Sequence, residues 1–246
     1  MQNSIPAELI RILLQDGRLT VLTGAGVSQE SGLRTFRDAQ TGLWNQYRPE
    51  DLASPQAFEH DPQMIWDWYA SRRSRAGEVQ PNPGHYALAE MEHRSPNFSL
   101  ITQNVDGLHQ RAGSDRVIEL HGNITRVRCS HGCGLVTAWE EVPGHLPLCP
   151  KCGANLRPDV VWFGESLPRP ELEAAVVAAR SCQVFFSIGT SGLVQPAASL
   201  AYAAGHRGAV VVEINTETTS LSSRADFVLI GKSGEILPDL VRRTWG

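Results

Sequence analysis

The sequence predicts an α/β fold: a doubly wound parallel sheet interrupted by one small inserted module. Three observations carry this. Short apolar runs alternate with helix-like segments along most of the chain. The runs are almost continuously apolar rather than strictly alternating, which suits strands buried on both faces of a parallel sheet. From Arg128 to Leu156, glycine, proline and cysteine replace that rhythm, and the stretch needs something other than an apolar core to hold it.

In chain order, Arg18–Thr23, Phe98–Thr102, Val117–Leu120, Gln183–Ile188, Ala209–Ile214 and Phe227–Ile230 read as strands, each short and rich in β-branched or large apolar residues. Between them, Pro62–Arg75 is predicted helical because Met64, Ile65, Trp68 and Tyr69 recur near helical spacing. Pro83–His93 follows Asn82, a capping residue with proline behind it. Pro170–Arg180 and Pro196–Ala204 are alanine-rich helices, and Gly234–Arg243 closes the chain. A chain of 246 residues, 41% hydrophobic, accommodates one main domain plus an insertion. The expected division is 1–123 and 158–246 for the sheet domain, with a helical insertion at about 45–80, and 124–157 for the module.

Composition narrows the function classes. A net charge of −4 gives no electrostatic reason to expect nucleic acid or a membrane surface as partner. No apolar stretch approaches the roughly 20 residues a bilayer span needs, and the opening MQNSIPAELI lacks the pattern of a signal peptide. A cytoplasmic enzyme is expected. With short termini and no partner-binding extension, a monomer is expected too.

The five cysteines fit a reducing compartment and a metal site better than a disulfide framework. Cys129 and Cys133 form one close pair, Cys149 and Cys152 another, with fifteen residues between. Each pair can supply two thiolates to one face of a tetrahedral zinc ion, and four thiolates leave no position for water, so the zinc is structural. His131 could replace one thiolate, but four thiols are available without it. Cys182, just before an apolar strand, reads as a buried thiol.

Thr23-Gly24-Ala25-Gly26 follows a strand and precedes a helix start. Glycines there serve either tight strand–helix packing or close approach of the backbone to a pyrophosphate, and the turn alone does not separate the two. It departs from the usual dinucleotide pattern, because the next glycine is Gly32 and an extended polar loop, Leu33 to Asp38, follows. Three other polar stretches end predicted strands: Thr102 to His109, Ile188 to Gly192, and Glu119-Leu120-His121-Gly122-Asn123. A histidine at the carboxyl edge of a sheet, as His121 is, is a general-base candidate.

Together GAGVSQESGLRTFRD, TQNVDGLHQRAG, ELHGN, the two cysteine pairs, VVWFGE and GTS resemble the sirtuin family, NAD-dependent protein lysine deacylases, in the family's order and over nearly the whole chain. The resemblance implies a Rossmann-like domain with an inserted zinc module and a cleft between them for NAD and an acyl-lysine. It implies that Gly24, Ala25, Gly26 and Ser28 face the cofactor, and that Phe36 and Arg37 cover the nicotinamide ribose from a mobile loop. It places Gln103, Asn104 and Asp106 around the nicotinamide ribose and carboxamide. Gly189, Thr190 and Ser191 become phosphate and ribose contacts, with Asn215, Glu217 and Ser233 on the adenosine side. Val161, Phe163, Gly164 and Glu165 belong to the segment that pairs with substrate backbone as an added strand. The implied chemistry begins with attack of the acyl oxygen on the ribose carbon bearing nicotinamide. The resemblance makes His121 and Asn104 the expected catalytic residues, with His121 taking a proton from the ribose hydroxyls. Free lysine, nicotinamide and O-acyl-ADP-ribose result.

Within the family the resemblance is closest to the class III branch, which removes negatively charged acyl groups. Tyr69 and Arg72 are three residues apart and share a helix face, so a phenol and a guanidinium could hold a carboxylate. Ala53 matches the small residue that leaves room for a longer acyl chain. The plainer account has Tyr69 in the core and Arg72 solvated beside Arg73 and Arg75. Succinyl, malonyl and acetyl groups on protein lysines are the expected substrates. The rival readings are ADP-ribosyl transfer to protein, a non-enzymatic NAD sensor, and a zinc-ribbon nucleic-acid binder. The last is disfavoured by the sparse positive charge around the cysteines.

Overall fold

A computed structural model of the chain describes residues 5–15, 17–33, 47–139 and 144–246. Six strands, β1 (Arg18–Thr23), β2 (Asn97–Thr102), β3 (Val117–Glu119), β7 (Val184–Ile188), β8 (Val210–Asn215) and β9 (Phe227–Ile230), form one sheet in the order β3-β2-β1-β7-β8-β9. All its pairings are parallel. The order reverses between β1 and β7, the arrangement of a Rossmann-like sheet, and ligands bind outside the strand ends at such a reversal.

Alternate side chains of these strands feed two cores. On one face, Leu19, Val21, Leu100, Val184, Phe186 and Ile214 pack against α1 (Ala7–Gln15), α6 (Pro83–Arg94) and α10 (Ser233–Trp245). On the other, Leu22, Ile101, Phe185 and Val211 meet the alanines of α8 (Arg169–Ser181) and α9 (Ser199–Gly205). Fully buried strands explain why the sequence shows continuous apolar runs. The observed α9 corrects the predicted helix at Pro196–Ala204. Residues 195–198 form a turn with bonds from Ser199 N–H to Pro196 O and Leu200 N–H to Ala197 O, a tighter spacing than an α-helix, before the helix begins at Ser199.

Between β1 and β2 lie two further helices whose starts are written in the sequence. Ser54 caps α4 (Pro55–His60) by accepting from Ala57 N–H, Asp61 caps α5 (Pro62–Glu78) by accepting from Met64 N–H, and proline follows each cap. Short α3 (Pro49–Leu52) precedes them, α2 (Ala25–Gln29) follows β1, and α7 (Leu108–Arg111) follows β2. A second, antiparallel sheet of β4 (Gly122–Cys129), β5 (Val136–Ala138) and β6 (Leu156–Val160) carries the cysteine module. Helix α5 bridges to it. Trp66 joins Val127, Cys129, Cys149 and Leu156, while Trp68 and Tyr69 pack with Ile124, Val160 and Trp162.

Candidate active site

The turns after β1 and β7 interlock. A Cβ on Gly24 would lie 2.7 Å from Gly189 O, one on Gly26 2.7 Å from Gly189 Cα, and one on Gly189 2.6 Å from Val27 N. Gly26 N–H donates to Gly189 O at 2.8 Å, and Gly24 N–H to Ile188 O at 3.0 Å. Of the two explanations for the glycines, packing of turn on turn is the one this geometry displays. It leaves a floor of bare backbone at the reversal point.

Over that floor the strand ends assemble a polar chain. Asn104 Nδ2 donates to Gly24 O at 3.0 Å and to Ser28 Oγ at 3.2 Å, and Ser28 Oγ donates to Asp106 Oδ2 at 2.7 Å. Leu108 N–H donates to Asp106 Oδ1 at 2.9 Å, and Gln103 N–H donates to Thr23 O. Burial raises the Asp106 carboxyl above its ordinary value, while the Leu108 and Ser28 donors pull the other way. Beneath, Asn104 N–H donates to Thr102 Oγ1, which also accepts from Thr23 Oγ1, and Thr23 Oγ1 lies 2.9 Å from His109 Nε2.

Half-buried His121 stands where β3 hands the chain to β4. Its Nδ1 is 2.9 Å from Gln103 O. A carbonyl only accepts, so Nδ1 carries the proton and Nε2 presents a lone pair, the tautomer a general base needs. Burial lowers its pKa from 6.5, partly offset by that bond. Backbone on either side is pinned. Val161 N–H donates to His121 O, and Gly122 adopts φ +77 with Asp159 O only 2.0 Å from where a Cβ would be.

Tyr69 and Arg72 lie on the inward side of α5. Tyr69 is 2% exposed, and burial pushes its phenol up to about 12, so it stays protonated and able to donate. Arg72 is half-buried, 5.0 Å over the Trp68 ring, and its charge is felt by both Tyr69 and Asp106. The guanidinium is therefore near both the phenol and Asp106 and is only partly exposed. Trp162 Nε1–H donates to Tyr69 Oη at 2.9 Å. Buried Ala53 accepts from Phe163 N–H at 2.8 Å, which ties α3 and α4 to the 161–165 segment. In that segment Phe163 is 47% exposed and Gly164 is open, whereas both Glu165 carboxylate oxygens bind Arg157, at 2.6 and 2.7 Å. Any contact of Glu165 with a peptide would therefore run through its backbone.

On the other side of the floor lies a groove of about 480 Å³ lined by Gly26, Gly189, Asn215 and Ser233 among others. Asn215 Nδ2 donates to Thr190 O, and the Thr190 hydroxyl accepts from Gly192 N–H. Ser233 Oγ is held by Glu30 at 2.8 Å. Ser191 and Glu217 are exposed, and Ala25 is half-buried at the start of α2; none of the three lines the groove. Phe36 and Arg37 lie outside the described residues.

The four Sγ atoms of Cys129, Cys133, Cys149 and Cys152 lie within 4.8 Å of one another, and the closest pairs are 3.4 and 3.5 Å apart. Tetrahedral Zn–S bonds of about 2.3 Å require sulfurs roughly 3.8 Å apart, so the four cysteines suit one structural zinc ion.

A model of the Sir2 family matches residues 24–196. The chain belongs to the Sir2 family. It is similar to a protein of Pyrococcus furiosus named NAD-dependent protein deacylase, 48% identical over 241 residues that cover 95% of this chain and 96% of the relative. A solved structure described as a Sir2 homologue in complex with NAD superposes with a TM-score of 0.93 at 47% identity, covering 98% of this chain and 94% of that one. Another, Sir2Af2 bound to a myristoylated histone peptide, superposes with a TM-score of 0.77 at 36% identity, covering 96% and 94%.

For this Sir2-family chain, reading the sequence passed over several residues that shape the site. Trp162, quoted only as part of VVWFGE, and Arg157 are among them; the signals were a tryptophan between Val161 and Phe163 and an arginine between two strand residues, Leu156 and Pro158. His85, 4.9 Å from His109 ring to ring, and Glu30 carried no pattern of their own.

Proposed function

We propose that this Sir2-family chain uses NAD to remove acyl groups from lysine side chains of proteins, that it prefers acyl groups ending in a carboxylate, such as succinyl and malonyl, and that it also accepts acetyl. The observation that carries the finer part is the pairing of a protonated, buried Tyr69 phenol with the Arg72 guanidinium on the inward side of α5. Two such donors suit a carboxylate and offer a neutral acyl group little.

NAD supplies an electrophilic ribose carbon with nicotinamide as the leaving group. The chain's own residues do the rest. Gly24, Gly26 and Gly189 give the pyrophosphate a surface without side chains, and Asn215 and Ser233 line the adenosine groove. Asn104, oriented by Gly24 and Ser28, together with Asp106 and Gln103, positions the ribose and carboxamide. His121 accepts a ribose hydroxyl proton at Nε2 because Gln103 O holds the other nitrogen in its protonated form. Val161 to Gly164 receive the peptide alongside, and Ala53 leaves room for the acyl chain. In the family resemblance Phe36 and Arg37 cover the ribose. Free lysine, nicotinamide and O-acyl-ADP-ribose are the expected products.

The test is incubation with matched acetyl-lysine and succinyl-lysine peptides, with and without NAD, and mass spectrometry of the products. Faster NAD-dependent loss of succinyl, impaired far more than loss of acetyl by Arg72→Met, is expected. Equal impairment of both would remove the carboxylate preference. Peptide carrying ADP-ribose in place of any acyl loss would replace deacylation with transfer.

A further inference from the structure

Tyr69, proposed above to hold the acyl carboxylate, is supported from behind by a stack of side chains that begins in the zinc module. Arg157 lies on β6 opposite Arg128, one residue along from the Leu156–Cys129 pairing. Its guanidinium is buried, donates to both oxygens of Glu165, and sits 3.5 Å over the Trp162 ring. Glu165 in turn accepts from Trp162 N–H at 2.8 Å. Backbone and ring of Trp162 are thus clamped by one ion pair, and the ring also packs against Phe58 and Tyr69, with centroids 5.3 and 6.3 Å away. The free end of the indole, Nε1–H, points at Tyr69 Oη.

That bond decides where the Tyr69 proton goes. A phenolic O–H lies in the plane of its ring and has two orientations there, and the oxygen accepts on the side the proton leaves. With the indole N–H on one side, the proton is confined to the other. Tyr69 is shut off from solvent, so water offers no competing partner at the indole side. We propose that Trp162, clamped by Arg157 and Glu165, is a specificity-determining positioning residue: it fixes the Tyr69 hydroxyl as a donor aimed at the acyl carboxylate. This rests on the reading of Tyr69 and Arg72 as the carboxylate pocket.

Trp162→Phe keeps an aromatic ring under Arg157, removes the N–H and shrinks the ring, so the ratio between the two substrates, and not the absolute rate, reports the hydrogen bond. Its kcat and KM are measured with succinyl-lysine and acetyl-lysine peptides at saturating NAD, beside Tyr69→Phe and the double variant. The expected result is a higher KM for succinyl and a fall of about five- to tenfold in the succinyl-to-acetyl ratio of kcat/KM, the scale of one lost hydrogen bond. In the Tyr69→Phe background, Trp162→Phe moves that ratio no further, because the hydroxyl it acts through is gone. An equal loss on both substrates, or effects on the ratio that multiply in the double variant, overturns the proposal. If Tyr69→Phe lowers the ratio and Trp162→Phe does not, the positioning role falls alone and the pocket stands. If Tyr69→Phe leaves the ratio unchanged, the carboxylate reading falls and takes the positioning role with it. A measurement on the unaltered protein guards against a misfolded variant. The Trp162 indole proton, observed by NMR, exchanges slowly with solvent and shifts on Tyr69→Phe; fast exchange or an unmoved signal overturns the proposal.

Discussion

The buried histidines below the site make the fold acid-sensitive in a way that can be worked out. His85 and His109 are at most 1% exposed and their rings are 4.9 Å apart. Burial lowers His85 from 6.5 to about 4, and burial together with the neighbouring ring lowers His109 to about 3. His85 Nδ1 accepts from Asn82 N–H, so a proton there would set donor against donor. Both folded values lie below the unfolded one. The stability contributed by keeping these rings neutral is therefore complete above about pH 6.5 and is lost as pH falls from there toward the folded values. Going from about pH 7.5 to about pH 5, each ring is protonated in the unfolded chain and neutral in the fold. Each withdraws about 2 kcal/mol, or about 4 kcal/mol together. The result barely depends on how low the folded values are, because both stay below the working pH. Guanidinium unfolding followed by tryptophan fluorescence, with zinc in excess, measures it. His109→Gln should remove about half of the pH dependence, and comparing variant with wild type cancels acid effects on the cysteines. Wild-type, His85→Gln and His109→Gln proteins with the same pH slope would refute the reasoning.

Other expectations follow from the same geometry. His121→Ala should reduce deacylation at least about a hundredfold while NAD still binds by calorimetry. Because burial lowers the His121 pKa, the acid limb of kcat/KM for the wild type should have its midpoint below 6.5; a midpoint above 6.5 would contradict a buried neutral base. Exhaustive chelation should melt the β4-β5-β6 sheet, whose zinc site is worth roughly 10–16 kcal/mol, and an unchanged thermal unfolding profile would contradict the structural role. Gly122→Ala forces a Cβ into Asp159 O at a positive φ and should cost more than about 2 kcal/mol; a melting temperature within a degree of the wild type would show that β4 and β6 can part there.

Much of the sheet was legible because its physics is local. Phe185 and Phe186 point into opposite cores, and such a strand has to be apolar at every position. The cysteine pairs were legible for a similar reason, since two thiolates on one knuckle need only short spacing. The strands of the cysteine module were not, because Val136–Ala138 is exposed at all three positions and Arg157 and Arg128 pair within the module, so little apolar pattern marks them. Helix α9 was misplaced because alanines at 197 and 198 suit a turn as well as a helix. At the site, the residue types at strand ends could be read, but not their partners. That Gln103 O sets the His121 tautomer and that Glu30 holds Ser233 depend on contacts between segments 18 and 203 residues apart, and that Glu165 belongs to Arg157 depends on how the chain turns back after β6.

The interlock of the β1 and β7 turns has a bearing on how the protein comes into being. The floor needs Gly24, Gly26 and Gly189 in mutual contact, and more than 160 residues separate the first from the last. A ribosome-borne chain displaying Thr23 to Ser28 therefore owns only half a joint, and the opposing half emerges after the whole zinc module has been made. No ligand of that floor can template the early chain, and none can reward a partial fold. Binding competence arrives in one step, when β7 docks beside β1, which makes ligand retention a stringent reporter that both halves of the sheet have closed.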